Sequence, residues 1–207
     1  MSRIDTIVFD LGGVLIDWNP QYVFRQLFKN ESEMNFFFEN ICTSDWNEQQ
    51  DAGRPLAEAT EWLVGQFPEY EPYIRAYYGR WEEMLGGPIK ETVRLLETLR
   101  EKGTHRLLAL TNWSDETFPV ALERYDFLHW FEGIVVSGKE KVIKPDPEIY
   151  RILFRRYDVT PSKAVFIDDN EKNVRGAEAV GMHAIHFRSA DQLSKTLAEK
   201  FDVILEN

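Results

Sequence analysis

Thiol chemistry is almost absent from this sequence: one cysteine, Cys42, leaves no partner for an internal disulfide, and its ordinary place is the interior, as a small hydrophobe. Long apolar runs are missing as well. Nothing approaches the length of a membrane span, and the opening MSRIDTIVFD lacks the apolar core of a secretory signal. These absences predict a reduced, cytoplasmic protein with no membrane partner. Positive charge is short too: 24 Lys and Arg face 35 Asp and Glu, and a formal net charge of -11 repels nucleic acid and anionic lipid rather than steering them in. An anionic substrate must then be met by a local cation or a metal. Internal repeats and low-complexity segments are also missing. What remains, 207 residues with 43% hydrophobic and 29% charged side chains, suits one folded domain or one domain carrying a modest insertion.

From residue 88 onward, helical and strand patterns alternate. Pro88 suits a first helical position, Ile89, Val93, Leu96 and Leu99 recur at helical spacing, and Gly103 supplies a stop. Short apolar runs follow over 106–110, 133–136, 164–167 and 184–187, with helical stretches between and after them. The runs are apolar throughout rather than at every second residue, which predicts a parallel sheet covered on both faces. The fold class expected is α/β, a Rossmann-like doubly wound parallel sheet. Residues 18–86 read differently, with aromatic and apolar side chains at helical spacing and no strand pattern. Packing inside a small helical bundle accounts for that aromatic density. The predicted division is an α/β core over 1–17 and 87–207, with a helical unit over 18–86 inserted after the first strand.

In an open parallel sheet, ligands bind beyond the carboxyl ends of the strands. Those ends carry Asp10, Thr111 with Asn112, Ser137, and Asp168 with Asp169, and Lys144 lies a short loop beyond Ser137. Singly, each has a bland explanation as a helix cap, a turn former or a solvated loop residue. Together, on successive strands of one sheet, they are better explained as one site.

Four stretches carry these residues: FDLGGVL (9–15), LALTN (108–112), KPDPEIY (144–150) and FIDDNEKN (166–173). In order and spacing they resemble the four motifs of the haloacid dehalogenase superfamily. The sequence is similar in particular to its magnesium-dependent phosphatases, in the branch whose helical cap follows motif one. That resemblance implies Asp10 as nucleophile, Thr111 and neighbouring amides as phosphate binders, and Lys144 as the neutralising cation. It implies Mg2+ held by Asp10, the Gly12 carbonyl, Asp168 and Asp169. The chemistry is consistent with those roles. A carboxylate that attacks phosphorus forms an aspartyl phosphate and divides hydrolysis into two displacements. Repulsion opposes attack on a dianion, and a hard cation with oxygen ligands, together with a compact ammonium, offsets it. Asn112 could orient Thr111 or substrate and Asn173 could hold the acidic loop, and both could equally be turn residues.

Position 12 departs from the pattern. Many phosphatases of the superfamily have there a second aspartate that protonates the leaving group, and such acid–base catalysis contributes about 10²–10⁴-fold. Glycine keeps the carbonyl and loses the acid. Three readings follow. One is a phosphatase of small phosphorylated metabolites with undemanding leaving groups, such as sugar 1-phosphates, helped by water or a cap carboxylate. Another is a 2-haloacid dehalogenase, whose relatives use the same nucleophile without a metal. The third is a non-catalytic binding protein. Asp168 and Asp169 favour the first, because without a cation they repel both attacker and substrate. If protonation limits the rate, Gly12→Asp raises turnover of alkyl phosphates.

Residues 46–54, WNEQQDAGR, resemble the cap segment that faces the site in this branch. Trp46, Gln49, Gln50 and Arg54 are its candidate substrate contacts, although Arg54 could instead pair with Glu58 one turn later. Trp18 and Trp113 stand beside the first two motifs and are further candidates, with packing as their default. Hinges are expected near 17–20 and 85–88. A monomer and a homodimer are both compatible with the aromatic-rich insert.

Overall fold

The computed structural model describes residues 3–204. In chain order, β1 (Thr6–Phe9) and β2 (Ile16–Trp18) precede five helices: α1 (Gln21–Leu27), α2 (Glu31–Asn40), α3 (Ser44–Asp51), α4 (Leu56–Gln66) and α5 (Glu71–Gly79). Then come β3 (Leu85–Pro88), α6 (Lys90–Lys102), β4 (Arg106–Thr111), α7 (Phe118–Arg124), β5 (Gly133–Val136) and α8 (Ser137–Glu140). The chain continues through α9 (Pro147–Tyr157), β6 (Ala164–Asp168), α10 (Glu171–Ala179), β7 (His183–His186) and α11 (Ala190–Phe201).

Five strands pair in parallel in the order β5-β4-β1-β6-β7. The chain winds outward from β1 on one side and then on the other, so the switch point lies at the tip of β1. Strands β1 and β6 are buried at every residue, which is why their sequences are apolar without alternation. The pleat divides them between two cores. Ile7, Phe9, Leu107, Ala109, Val165 and Ile167 join the core that continues into the helical insert. Val8, Leu108, Leu110 and Phe166 face the other way, against Ile149, Tyr150 and Leu153 of α9. Among the described residues, no helix is long and apolar enough to cross a membrane.

Helices α1–α5 pack around rings: Phe24 lies 5.0 Å from Phe37, and Phe28 stacks on Tyr73 at 4.3 Å. Cys42 is buried in the same core, and burial pushes its thiol well above the usual range.

One element departs from the sequence reading. Strands β2 and β3 form an antiparallel ribbon where the insert leaves and rejoins the sheet, and Pro88 ends β3 instead of opening a helix. Helix α6 starts at Lys90, because the Ile89 amide is held by the Leu15 carbonyl at 2.8 Å and stays outside it. Gly86 is required for the close approach, since a Cβ there would collide with the Asp17 carboxylate and the Tyr22 ring.

Candidate active site

Sheet register assembles the site. Phe9 pairs with Ile167, so Asp10 and Asp168 step off the ends of neighbouring strands at one level, and the Asp10 amide donates to the Ile167 carbonyl at 2.8 Å. The Lys144 ammonium enters between them, 2.9 Å from Asp10 Oδ1 and 2.7 Å from Asp168 Oδ2. It also donates to the Leu110 carbonyl at 3.1 Å, so all three of its protons have acceptors. Asn112 fixes the Lys144 backbone: its Oδ1 accepts from the Lys144 amide at 2.8 Å, and its Nδ2 donates to the Lys144 carbonyl at 3.1 Å.

Asp168 is fully buried and its oxygens are heavily committed. Beyond Lys144, they accept from Asn173 Nδ2 at 3.1 Å and from the Asn170 amide at 2.8 Å. Asp169 is exposed, and the approach to it of the turn after β1 depends on Gly13. That residue has φ 71°, and a Cβ on it would collide with the Asp169 carboxylate. Asp10, Asp168 and Asp169 each offer an oxygen within 4.8 Å of the others. Such an all-oxygen set suits Mg2+, with Asp10 and Asp169 the more available ligands.

The charges strain against one another. Burial pushes the Asp10 carboxyl up to about 8, Asp168 and Asp169 add to that, and Lys144 offsets only part of it. Burial and then Asp168 likewise raise Asp169. Burial by itself would lower Lys144, but Asp10 and Asp168 outweigh it and hold the ammonium charged. A cation among the three carboxylates would relieve the repulsion.

A cavity of about 520 Å³ opens over this cluster, lined from the sheet by Asp10, Asn112, Lys144, Asp169 and Asn173 and from the insert by Asn47, Glu48, Asp51 and Tyr77. A second cavity of about 110 Å³ has walls of Trp18, Tyr78, Trp81 and Trp113 and a floor that includes Gly12 and Ser114. Trp18, Asn47, Asp51 and Asn112 line both.

Asp10, Gly12, Trp18, Asn112, Trp113, Lys144, Asp169 and Asn173 line these cavities, whereas Asp168, Ser137, Gln49 and Gln50 line neither, and nor do Thr111, Trp46 and Arg54. Thr111 ends β4 at 1% exposure and lines neither cavity. Trp46, expected to touch substrate, is instead buried against Tyr77 and Tyr78, with ring centroids 5.3 and 5.5 Å away. Arg54 is held on the insert's own surface by Glu58 at 3.2 Å and Gln49 at 3.1 Å, with its guanidinium over the Trp62 ring. Segment 46–54 does reach the site, but with a different face of α3. Trp46 and Gln50 form the buried stripe, so Asn47 and Asp51, each one residue later and four apart, turn into the cavities. A helix phase set by the tryptophan would have found them.

Residues 4–181 match the family of haloacid dehalogenase-like hydrolases. The chain belongs to this family. Among its relatives, a sesquiterpene phosphatase, astK, of Aspergillus oryzae is 29% identical over 86% of this chain and 87% of its own length. A phosphorylated carbohydrates phosphatase of Thermotoga maritima is 26% identical over 88% of this chain and 84% of its own. In fold, the chain is similar to a haloacid dehalogenase family enzyme of Bacteroides thetaiotaomicron solved as a magnesium complex. The TM-score is 0.71 at 22% identity, covering 95% of this chain and 99% of that one.

Proposed function

We propose that this hydrolase releases phosphate from small phosphorylated metabolites in two displacements, with Asp10 as nucleophile. The observation that carries the reading is the buried Lys144 ammonium, which touches Asp10 while Asp169 stands open in the same carboxylate cluster. Lys144 orients Asp10 and meets the charge that develops as phosphorus is attacked. Asn112 positions Lys144, and Asn173 with the Asn170 amide positions Asp168. Asp10, Asp169 and the Gly12 carbonyl would hold Mg2+. When bound, Mg2+ supplies positive charge for phosphate oxygens and for the attacking carboxylate. Residues 18–86 act as a cap that excludes water, and the aromatic walls of the smaller cavity receive the group that phosphate leaves. Thr111, buried at the end of β4, supports Asn112 from beneath.

A dehalogenase reading fits less well, because three crowded carboxylates would face an anionic substrate with one lysine between them. Both are tested together by assaying phosphate release from a panel of phosphorylated metabolites with and without Mg2+, and chloride release from 2-chloropropionate. Mg2+-dependent phosphate release, abolished by Asp10→Asn, is expected. Chloride release, or neither activity, would overturn the reading.

A further inference from the structure

The site as described has a nucleophile and cations but no acid at position 12. Gly12 lines the smaller cavity, and a Cβ there would meet nothing within 4 Å, so no neighbouring side chain fills the space. Among the described residues, one carboxyl lines that cavity, and it belongs to Asp51 at the end of α3. The same residue lines the larger cavity with Asp10, Lys144 and Asp169.

We propose that Asp51, brought in by the helical insert, is the proton donor and acceptor that position 12 lacks. This rests on the phosphatase reading above. Asp51 is held rather than loose: Asn47 Nδ2 donates to its Oδ2 at 3.2 Å, and the Ser114 amide donates to its carboxylate. Its backbone carbonyl accepts from Ser137 Oγ at 2.5 Å, and that hydroxyl also accepts from the Trp113 amide at 2.9 Å. The end of α3 is thus fastened to the tips of β4 and β5. Gly53, with φ 91°, lets the chain leave α3 against the Gly138 carbonyl, where a Cβ would be 2.7 Å away. Glu39 and Glu48 of the insert also line the larger cavity, but both are exposed to solvent and neither lines the smaller one.

The protonation state suits the task. Burial pushes the Asp51 carboxyl up to about 7, Glu48 adds to the rise, and the Ser114 amide and Lys144 draw it back. Tyr77 and Tyr78 of α5 also face it. A group poised near neutral pH can both give and take a proton.

In the first displacement, a bond forms between Asp10 Oδ and phosphorus while the bond from phosphorus to the leaving oxygen breaks. The Asp51 proton passes to that oxygen, the alcohol departs, and Asp51 is left as carboxylate. In the second, Asp51 takes a proton from the water that attacks phosphorus. The bond between phosphorus and Asp10 breaks, inorganic phosphate leaves, and Asp51 is again an acid.

The test follows how the rate depends on the leaving group. With Mg2+ and a series of substituted phenyl phosphates from p-nitrophenyl to unsubstituted phenyl, the rapid first turnover is compared in wild type and Asp51→Asn. The variant is expected to lose about 10²–10⁴-fold on phenyl phosphate and to stay within a few-fold on p-nitrophenyl phosphate, whose leaving group needs no proton. Gly12→Asp in the Asp51→Asn background is expected to recover at least about tenfold on phenyl phosphate. An equal loss across the series, or none, would overturn the role of Asp51 and leave the phosphatase reading standing. Absence of Mg2+-dependent phosphate release from the wild type across the whole series would overturn the reading itself. Should Asp51→Asn fail to fold, the wild type alone decides. The ratio of kcat/KM for phenyl over p-nitrophenyl phosphate, in which shared ionisations cancel, is expected to fall as pH rises through about 7, and a flat ratio would refute the assignment.

Discussion

Asn112 grips Lys144 by both sides of its backbone, accepting from the amide at 2.8 Å and donating to the carbonyl at 3.1 Å. An asparagine at a strand tip thereby sets the height at which a lysine from another loop meets the nucleophile. Asn112→Ala is expected to cut kcat/KM for a phosphate monoester by about 10²-fold, the usual cost of misplacing a reacting group by an ångström. Far-UV circular dichroism should not change. An unaltered rate would show that Lys144 is held by its ion pairs alone.

Lys144 neutralises Asp10 and Asp168 in the interior, so its loss leaves two buried carboxylates without a cation. Lys144→Met is expected to destabilise the metal-free protein by about 3–5 kcal/mol in urea titrations and to abolish turnover. Lys144→Arg should not rescue, because a planar fork cannot reproduce three contacts made by one compact ammonium. Wild-type-like unfolding of Lys144→Met would contradict the ion-pair geometry.

Gly12 and Gly13 are adjacent and predicted to behave oppositely. Mg2+ at about 100 times its Kd should stabilise the wild type by about 2.7 kcal/mol. Gly13→Ala forces a side chain against Asp169 at a φ that disfavours it, and is expected to remove most of that Mg2+-induced rise in Tm. Gly12→Ala, with open space at Cβ, should keep it. Equal shifts in the two variants would exclude Asp169 as a ligand.

Asp51 gives a pH dependence of stability with a definite sign. Its carboxyl rises from 3.8 in the unfolded chain to about 7 when folded. Between those values the folded protein keeps a proton that the unfolded chain has released. The resulting stability is full below pH 3.8 and is lost as pH rises through about 7, at up to about 1.4 kcal/mol per pH unit. Asp10, raised to about 8, gives a slope of the same sign, so Asp51→Asn should make the profile less steep over that window, by up to about 1.4 kcal/mol per pH unit, without abolishing the slope. Denaturant titrations in chelator at intervals across it measure the difference, and parallel profiles would show that Asp51 ionises normally.

The sheet was legible because its strands are buried on both faces: TIVF and AVFID carry their burial in their composition, and an aspartate marks the rim of each, Asp10 just past the first and Asp168 at the end of the second. Asp10 and Asp169 could be placed at the rim on that ground, whereas Lys144 lies in a loop beyond β5 and stands out only through the resemblance of KPDPEIY to the family's third motif. The ribbon could not, since LGGP has neither alternation nor β-branched side chains, and its pairing is a matter of backbone contact. Trp46 misled because a tryptophan near a site reads as a ligand contact, whereas in an eight-residue helix it fixes which face is buried. The sequence does not single out Asp51, which its position against Ser114 and Ser137 brings to the site.

Across the ribbon Asp17 stands opposite Gly87, so the two junctions of the insert are neighbours, about 5 Å apart as adjacent strands are. The intervening segment is therefore a cassette with both cut points side by side. Transplanting a relative's insert at these junctions would exchange Trp18, Tyr78 and Trp81 in the walls of the smaller cavity, and Asp51 with them, while the sheet, its nucleophile, its lysine and Trp113 stay untouched.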